Sequence, residues 1–96
     1  MPGEPDVKAA VKASLARLQE VAPGRAVEVR IPPYAAVQVV AGHTHRRGTP
    51  SAVVETDAET WLALADGRLT WAEAVASGRL VASGERSDLS GYLPLP

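Results

Sequence analysis

Hydrophobic positions in the first quarter of the chain recur every three or four residues. They are Val7, Val11, Leu15, Leu18 and Ala22. This spacing is typical of a helix that buries one face. Pro23-Gly24 interrupts the pattern, because neither residue continues a helix well. The spacing therefore predicts an amphipathic helix over residues 6–22.

After this helix the pattern changes to a period of two. The stretch VEVRI alternates apolar and charged residues and predicts a strand over residues 27–31. A second strand is predicted over residues 35–41, with Val37 and Val39 on one face and Gln38 on the other. A third strand, over residues 52–56, follows the polar stretch GHTHRRGTP, whose turn formers suit a hairpin connection. Because the strands follow one another directly, we expect them to form an antiparallel sheet.

Two short helices are predicted from their capping signals. The sequences TDAE from Thr56 and TWAE from Thr70 both fit a capping box. Gly67 and Gly78 stand where a left-handed residue would end each helix. The predicted helices cover residues 58–65 and 71–77. Each glycine is followed by Arg-Leu, and we expect the arginine to stay in solvent near the helix C-terminus while the leucine turns inward.

The last quarter of the chain predicts a strand and an apolar tail. The strand covers residues 80–85, with Gly84 as a bulge or a point of close approach. The tail, residues 88–96, carries several leucines and is too apolar to be a free solvated end. We expect it to cover part of the core. With 96 residues, the chain is predicted to form one domain over residues 1–96.

Composition and charge exclude several kinds of protein. The chain has no cysteine, which excludes disulfides, thiolate zinc sites and cysteine nucleophiles. Its net charge is -1 and its basic residues are scattered apart from Arg46-Arg47, which argues against a nucleic-acid partner. The first twenty residues resemble neither a signal peptide nor a membrane span, so we expect a cytoplasmic protein.

One polar stretch carries the candidate chemistry. His43 and His45 have a spacing that suits two metal ligands, but a third ligand is not evident and a solvated hairpin tip is the preferred interpretation. Arg46 and Arg47 could bind a phosphate or carboxylate headgroup, or form a solvated basic turn. The sequence has no Gly-x-Ser-x-Gly elbow and no separate histidine base, so we predict no enzyme activity, cofactor or metal.

The C-terminal half carries a resemblance to a known family. The stretch VVETDAETWLALADGRLTWAEAVASGRLVASGERSDLSGYLPL, residues 53–95, resembles the C-terminal half of sterol carrier proteins. Their order is a strand, a capped helix, a Gly-Lys/Arg-Leu turn, an alanine-rich helix, the same turn again, a strand and a leucine-rich end. The resemblance implies an α/β (α+β) fold with about five antiparallel strands, helices packed on one face, and an apolar tunnel for lipids.

We therefore expect a small non-catalytic carrier that holds an apolar ligand, such as a fatty acid, between sheet and helices. The candidate cavity residues are Val37, Val39, Val54, Trp61, Leu64, Trp71, Val75, Leu80, Leu89 and Leu93, with Arg46 and Arg47 as headgroup candidates. Alternatively, each apolar residue simply belongs to the core, and the domain binds a partner enzyme. The sequence leaves open a transient contact with a membrane or an enzyme, the ligand and the oligomeric state.

Overall fold

The computed structural model describes residues 3–42 and 50–96, which form helices packed on a β-sheet. The helices are α1 (Glu4–Val21), α2 (Ala58–Asp66) and α3 (Trp71–Ala76). The strands are β1 (Val27–Ile31), β2 (Ala35–Val39), β3 (Ala52–Thr56) and β4 (Leu80–Gly84). A 3-10 turn, Ser90–Tyr92, lies in the tail. The ends of these elements lie within two residues of those expected from the sequence.

The described residues form a four-stranded mixed sheet with the order β2-β1-β3-β4. β1 pairs antiparallel with β2 but parallel with β3, and β3 pairs antiparallel with β4. The prediction of about five antiparallel strands is therefore wrong. The reason is that β2 returns the chain to the end where β1 begins, with Val39 opposite Val27. β3 starts at that same end, with Ala52 opposite Val27, and so runs in the direction of β1.

β3 pairs with β1 and not with the outer edge of β2, beside which the end of α1 lies. Just beyond β2, the Val40 N–H donates to the Ala22 carbonyl at 2.7 Å. The Gln19 side chain lies 3.5 Å from the Gln38 carbonyl, and α1 packs against β2. Val40 has a φ of 66°, so the strand ends at Val39 rather than at the predicted residue 41.

The core lies between the helices and one face of the sheet. From the sheet it includes Val29 and Val54, and from α1 Leu15 and Leu18, all of them 0–1% exposed. The residues that alternate with them point away from the helices: Arg30 and Glu55 are exposed. The Trp61 indole of α2 is completely buried in this core. Its N–H donates to the Ser14 hydroxyl of α1 at 2.8 Å, and that hydroxyl donates to the Val11 carbonyl at 2.8 Å.

The caps of the two short helices differ from each other. α3 begins with the predicted capping box between Thr70 and Glu73. The capping box predicted at Thr56 is wrong, because this residue ends β3 and its hydroxyl donates to the Arg79 carbonyl at 2.8 Å. Asp57 caps α2 instead and accepts the Thr60 N–H at 3.1 Å.

Both predicted glycines are left-handed. Gly67 ends α2 with a φ of 81°, and Gly78 follows the end of α3 with a φ of 77°. The arginines that follow them are exposed, whereas Leu69 is half-buried and Leu80 is buried. The repeated Gly-Arg-Leu thus ends each helix and returns the chain to the core.

Candidate functional site: an apolar pocket beside the tail

Six of the predicted ligand residues are fully buried. They are Val39, Val54, Trp61, Leu64, Leu80 and Leu89, each no more than 2% exposed. All six belong to one continuous cluster of core side chains. Side chains in such a cluster contact each other, so a ligand could enter among them only if several were displaced.

The other predicted residues have different surroundings. Val37, Trp71 and Leu93 are half-buried and pack against the edge of the core. Val75 is 45% exposed on α3 and therefore does not line an interior space. The headgroup candidates Arg46 and Arg47, like His43 and His45, lie outside the described residues.

Three predicted residues come together at a surface pocket of about 380 Å³. Leu64 of α2 forms part of its wall, Trp71 begins α3 at its side, and Leu93 comes from the tail. We call this the tail pocket. Its lining residues are Leu64, Gly67, Leu69, Thr70, Trp71, Ala72, Ser90, Leu93 and Pro94. The α2–α3 turn and the tail thus enclose a mainly apolar space with two hydroxyl groups at its rim.

The tail is attached on both sides of this pocket. Leu89 is completely buried in the core before the pocket, and Leu95 is 8% exposed after it. The Leu95 N–H donates to the Ala65 carbonyl near the end of α2 at 3.0 Å. Arg17 of α1 donates to the Pro96 carbonyl at 2.7 Å. Ser90, Leu93 and Pro94 are therefore held over the pocket between two fixed points.

The carboxylates near the tail pocket already accept local hydrogen bonds. The Thr70 hydroxyl and N–H donate to Glu73 and lower the pKa of its carboxyl group. The Ser90 N–H donates to Asp88 and lowers the pKa of that carboxyl group. Both groups are ionised at neutral pH. Glu73 completes the capping box of α3, whereas Asp88 accepts the N–H of Ser90 two residues further along the chain. The chemistry that this pocket offers is the removal of apolar surface from water, with hydroxyl groups at the rim.

Several pocket residues were not predicted as ligand contacts. Leu69 had a signal in the sequence, because it is the inward leucine of the first Gly-Arg-Leu. Ala72 and Pro94 had none, because a small or cyclic side chain gives no indication of where it lies in the fold. The sequence around Gly67 indicates a helix cap and gives no sign of a pocket.

The described residues contain neither a metal-binding cluster nor a helix that could span a membrane. Across residues 3–42 and 50–96, no three histidine, aspartate or glutamate side chains are grouped so that they could hold a metal ion. In those same segments, none of the helices combines the length and the apolar character that a membrane span needs.

The chain can be assigned to a protein family by comparison with known family models. A family model described as the bacterial SCP ortholog, where SCP denotes sterol carrier protein, matches residues 4–95. The chain belongs to this family. The match extends from the first residue of α1 to the end of the tail, so the tail pocket lies within the bacterial SCP domain. A comparison with curated proteins found no match.

Proposed function

We propose that this bacterial SCP-family protein is a non-catalytic carrier that binds an apolar small molecule in the tail pocket. One observation carries the proposal: Leu64, Trp71 and Leu93, which the sequence singled out as ligand residues, line one pocket. Membership of the sterol carrier protein family supports a lipid as the ligand class.

The size of the pocket favours a small ligand or one end of a longer chain. Ligand pockets in proteins range over roughly 300–1,000 Å³, and the tail pocket has about 380 Å³. Burial of each methylene group contributes about 0.8 kcal/mol, so each added carbon should lower the dissociation constant about fourfold. This gain should stop when the pocket is full. A fatty acid would keep its carboxylate in solvent beyond the rim, because the Thr70 hydroxyl there already donates to the ionised Glu73.

A second candidate function is an interaction domain that binds a partner enzyme. It is favoured by the burial of the core residues, because Val54, Trp61 and Leu89 are each 0% exposed and occupy the layer between sheet and helices. Under this alternative the domain would bind its partner enzyme with its surface. The tail pocket would then be a packing defect beside the α2–α3 turn.

The experiment is a titration of delipidated protein with saturated fatty acids of increasing length, followed by tryptophan emission. Trp71 lines the pocket, whereas Trp61 is completely buried. We expect a saturable change at one ligand per chain, with affinity rising with length and then levelling off. Trp71→Phe should remove most of the emission change and keep the stoichiometry that calorimetry measures.

Two alanines of α3 supply a matched pair of variants. Ala72 lines the pocket, whereas Ala76 is exposed on the same helix away from it. Ala72→Phe should fill the pocket and weaken binding by about tenfold or more, since one buried ring replaces most of the ligand contact. Ala76→Phe should bind like the parent. Absence of saturable binding by any chain length, or equal effects of the two variants, would refute the carrier proposal and favour the interaction domain.

A further inference from the structure

The outer edge of β4 is open in the described part of the chain. β4 is the last strand of the sheet, and its only strand partner among residues 3–42 and 50–96 is β3. No other described residue forms a backbone hydrogen bond with residues 80–84. The opposite edge strand, β2, is contacted by α1, whose Gln19 side chain lies 3.5 Å from the Gln38 carbonyl. An edge with unpaired N–H and C=O groups is a template for another strand.

The side chains of β4 do not protect this edge. Exposed edge strands are usually guarded by a charge or a proline, but the strand sequence LVASG contains neither. Val81 is 64% exposed, the most exposed of the large hydrophobic side chains in the described residues. Its position on the face of the sheet away from the helices leaves it without a covering layer.

Charged residues stand only at the two ends of the strand. Arg79 precedes β4 and Glu85 follows it, and both are exposed. When two copies of β4 are placed antiparallel about Ala82, the end of the strand that Arg79 precedes in one copy meets the end that Glu85 follows in the other. In the same register Val81 faces Ser83, and the two Val81 side chains become diagonal neighbours. The strand is thus complementary to itself in charge and in size.

We propose that two copies of this protein associate through their β4 edges about a two-fold axis at Ala82. The two sheets then join into one continuous sheet, with the helices of both copies on the same face. A two-fold axis makes the same patch serve both subunits, which is the most common arrangement in homodimers. The backbone groups of β4 supply the hydrogen bonds, Val81 supplies apolar contact, and the Arg79–Glu85 pairs fix the register.

The experiment measures self-association by sedimentation equilibrium at low ionic strength, at protein concentrations up to about 1 mM. We expect a reversible monomer–dimer equilibrium. Arg79→Glu or Glu85→Arg alone should weaken the dimer about tenfold or more, because each change creates two like-charge contacts across the axis. The double variant Arg79→Glu with Glu85→Arg should return to within about threefold of the parent, because it restores both pairs.

Two matched variants control for net charge. Lys12→Glu and Glu20→Arg make the same charge changes on exposed positions of α1, and they should leave the dimer unchanged. Val81→Lys provides a separate approach, because this side chain is exposed in the single chain and its replacement should weaken the dimer without lowering the melting temperature. A protein that stays monomeric at every concentration overturns the proposal. The proposal is also overturned if the double variant Arg79→Glu with Glu85→Arg dimerises as weakly as the single variants, or if the α1 variants weaken the dimer as much as the β4 variants do.

Discussion

The buried hydrogen bond between α1 and α2 gives a prediction about stability. Trp61 is 0% exposed, and its indole N–H donates to the Ser14 hydroxyl at 2.8 Å. Ser14→Ala removes the acceptor of an indole N–H that is completely buried from solvent. An unsatisfied buried donor costs about 1–3 kcal/mol. Alanine is the better helix former by up to about 0.5 kcal/mol, which offsets part of this loss.

We therefore expect Ser14→Ala to lower the free energy of unfolding by about 1.5 kcal/mol. For a domain of this size the melting temperature should fall by roughly 10 °C. The measurement is urea unfolding followed by circular dichroism and by tryptophan emission. The double variant Ser14→Ala with Trp61→Phe isolates the hydrogen bond, because Ser14→Ala should cost less once the indole N–H is gone.

Ser77 provides a closely matched control. Its hydroxyl donates to the Ala74 carbonyl at 3.1 Å, three residues back, as the Ser14 hydroxyl does to Val11. Ser77 is exposed, however, and accepts no indole hydrogen bond among the described residues. Ser77→Ala should change the stability by no more than about 0.5 kcal/mol. Equal stabilities of the Ser14→Ala and Ser77→Ala variants would show that the buried indole bond contributes nothing, and the reasoning would be refuted.

The helix ends and the tail give further predictions. Gly78→Ala should lower the free energy of unfolding by about 1 kcal/mol, because a Cβ is forced into a left-handed backbone with open space around it. Gly67→Ala should cost more in the same urea assay, because its Cβ would also lie 3.3 Å from Pro94; equal costs would contradict the packing of the tail. The pKa values of the Glu73 and Asp88 carboxyl groups are lower in the folded chain than in the unfolded chain. Their ionised forms therefore stabilise the fold above about pH 4, where these groups titrate in the unfolded chain. This contribution should be lost as the pH falls through the lower folded values, and Glu73→Gln should show a smaller loss in acid unfolding curves.

Local features of the fold could be predicted from the sequence because their causes are local. In β1, apolar residues alternate with charged ones because every second side chain faces the core. The Thr70–Glu73 capping box and the left-handed Gly67 each depend on only a few neighbouring residues. The error at Thr56 came from a competing tertiary interaction, since pairing with β4 placed this residue in the sheet.

Features that depend on distant residues could not be predicted in this way. The parallel pairing of β1 with β3 joins segments that are separated in the chain by β2, and no pattern within a single strand predicts it. Ser14 and Trp61 lie 47 positions apart, so their hydrogen bond has no signature in the sequence. A large apolar side chain has the same appearance in the sequence whether it lies in the core, as Trp61 does, or beside a pocket, as Trp71 does.

The parallel pairing of β1 with β3 also divides the fold into two contiguous halves. Residues 3–42 supply α1 with the β1–β2 hairpin, and residues 50–96 supply all the remaining elements. The main contacts between the halves are the β1–β3 ladder and the packing of α1 on α2. A chain cut between residues 42 and 50 should therefore yield two fragments that reassemble when coexpressed and copurify as a one-to-one complex. Neither half has a complete core by itself, so each fragment should fold only together with the other. If the two fragments are fused to two other proteins, their reassembly could report whether those two proteins bind each other.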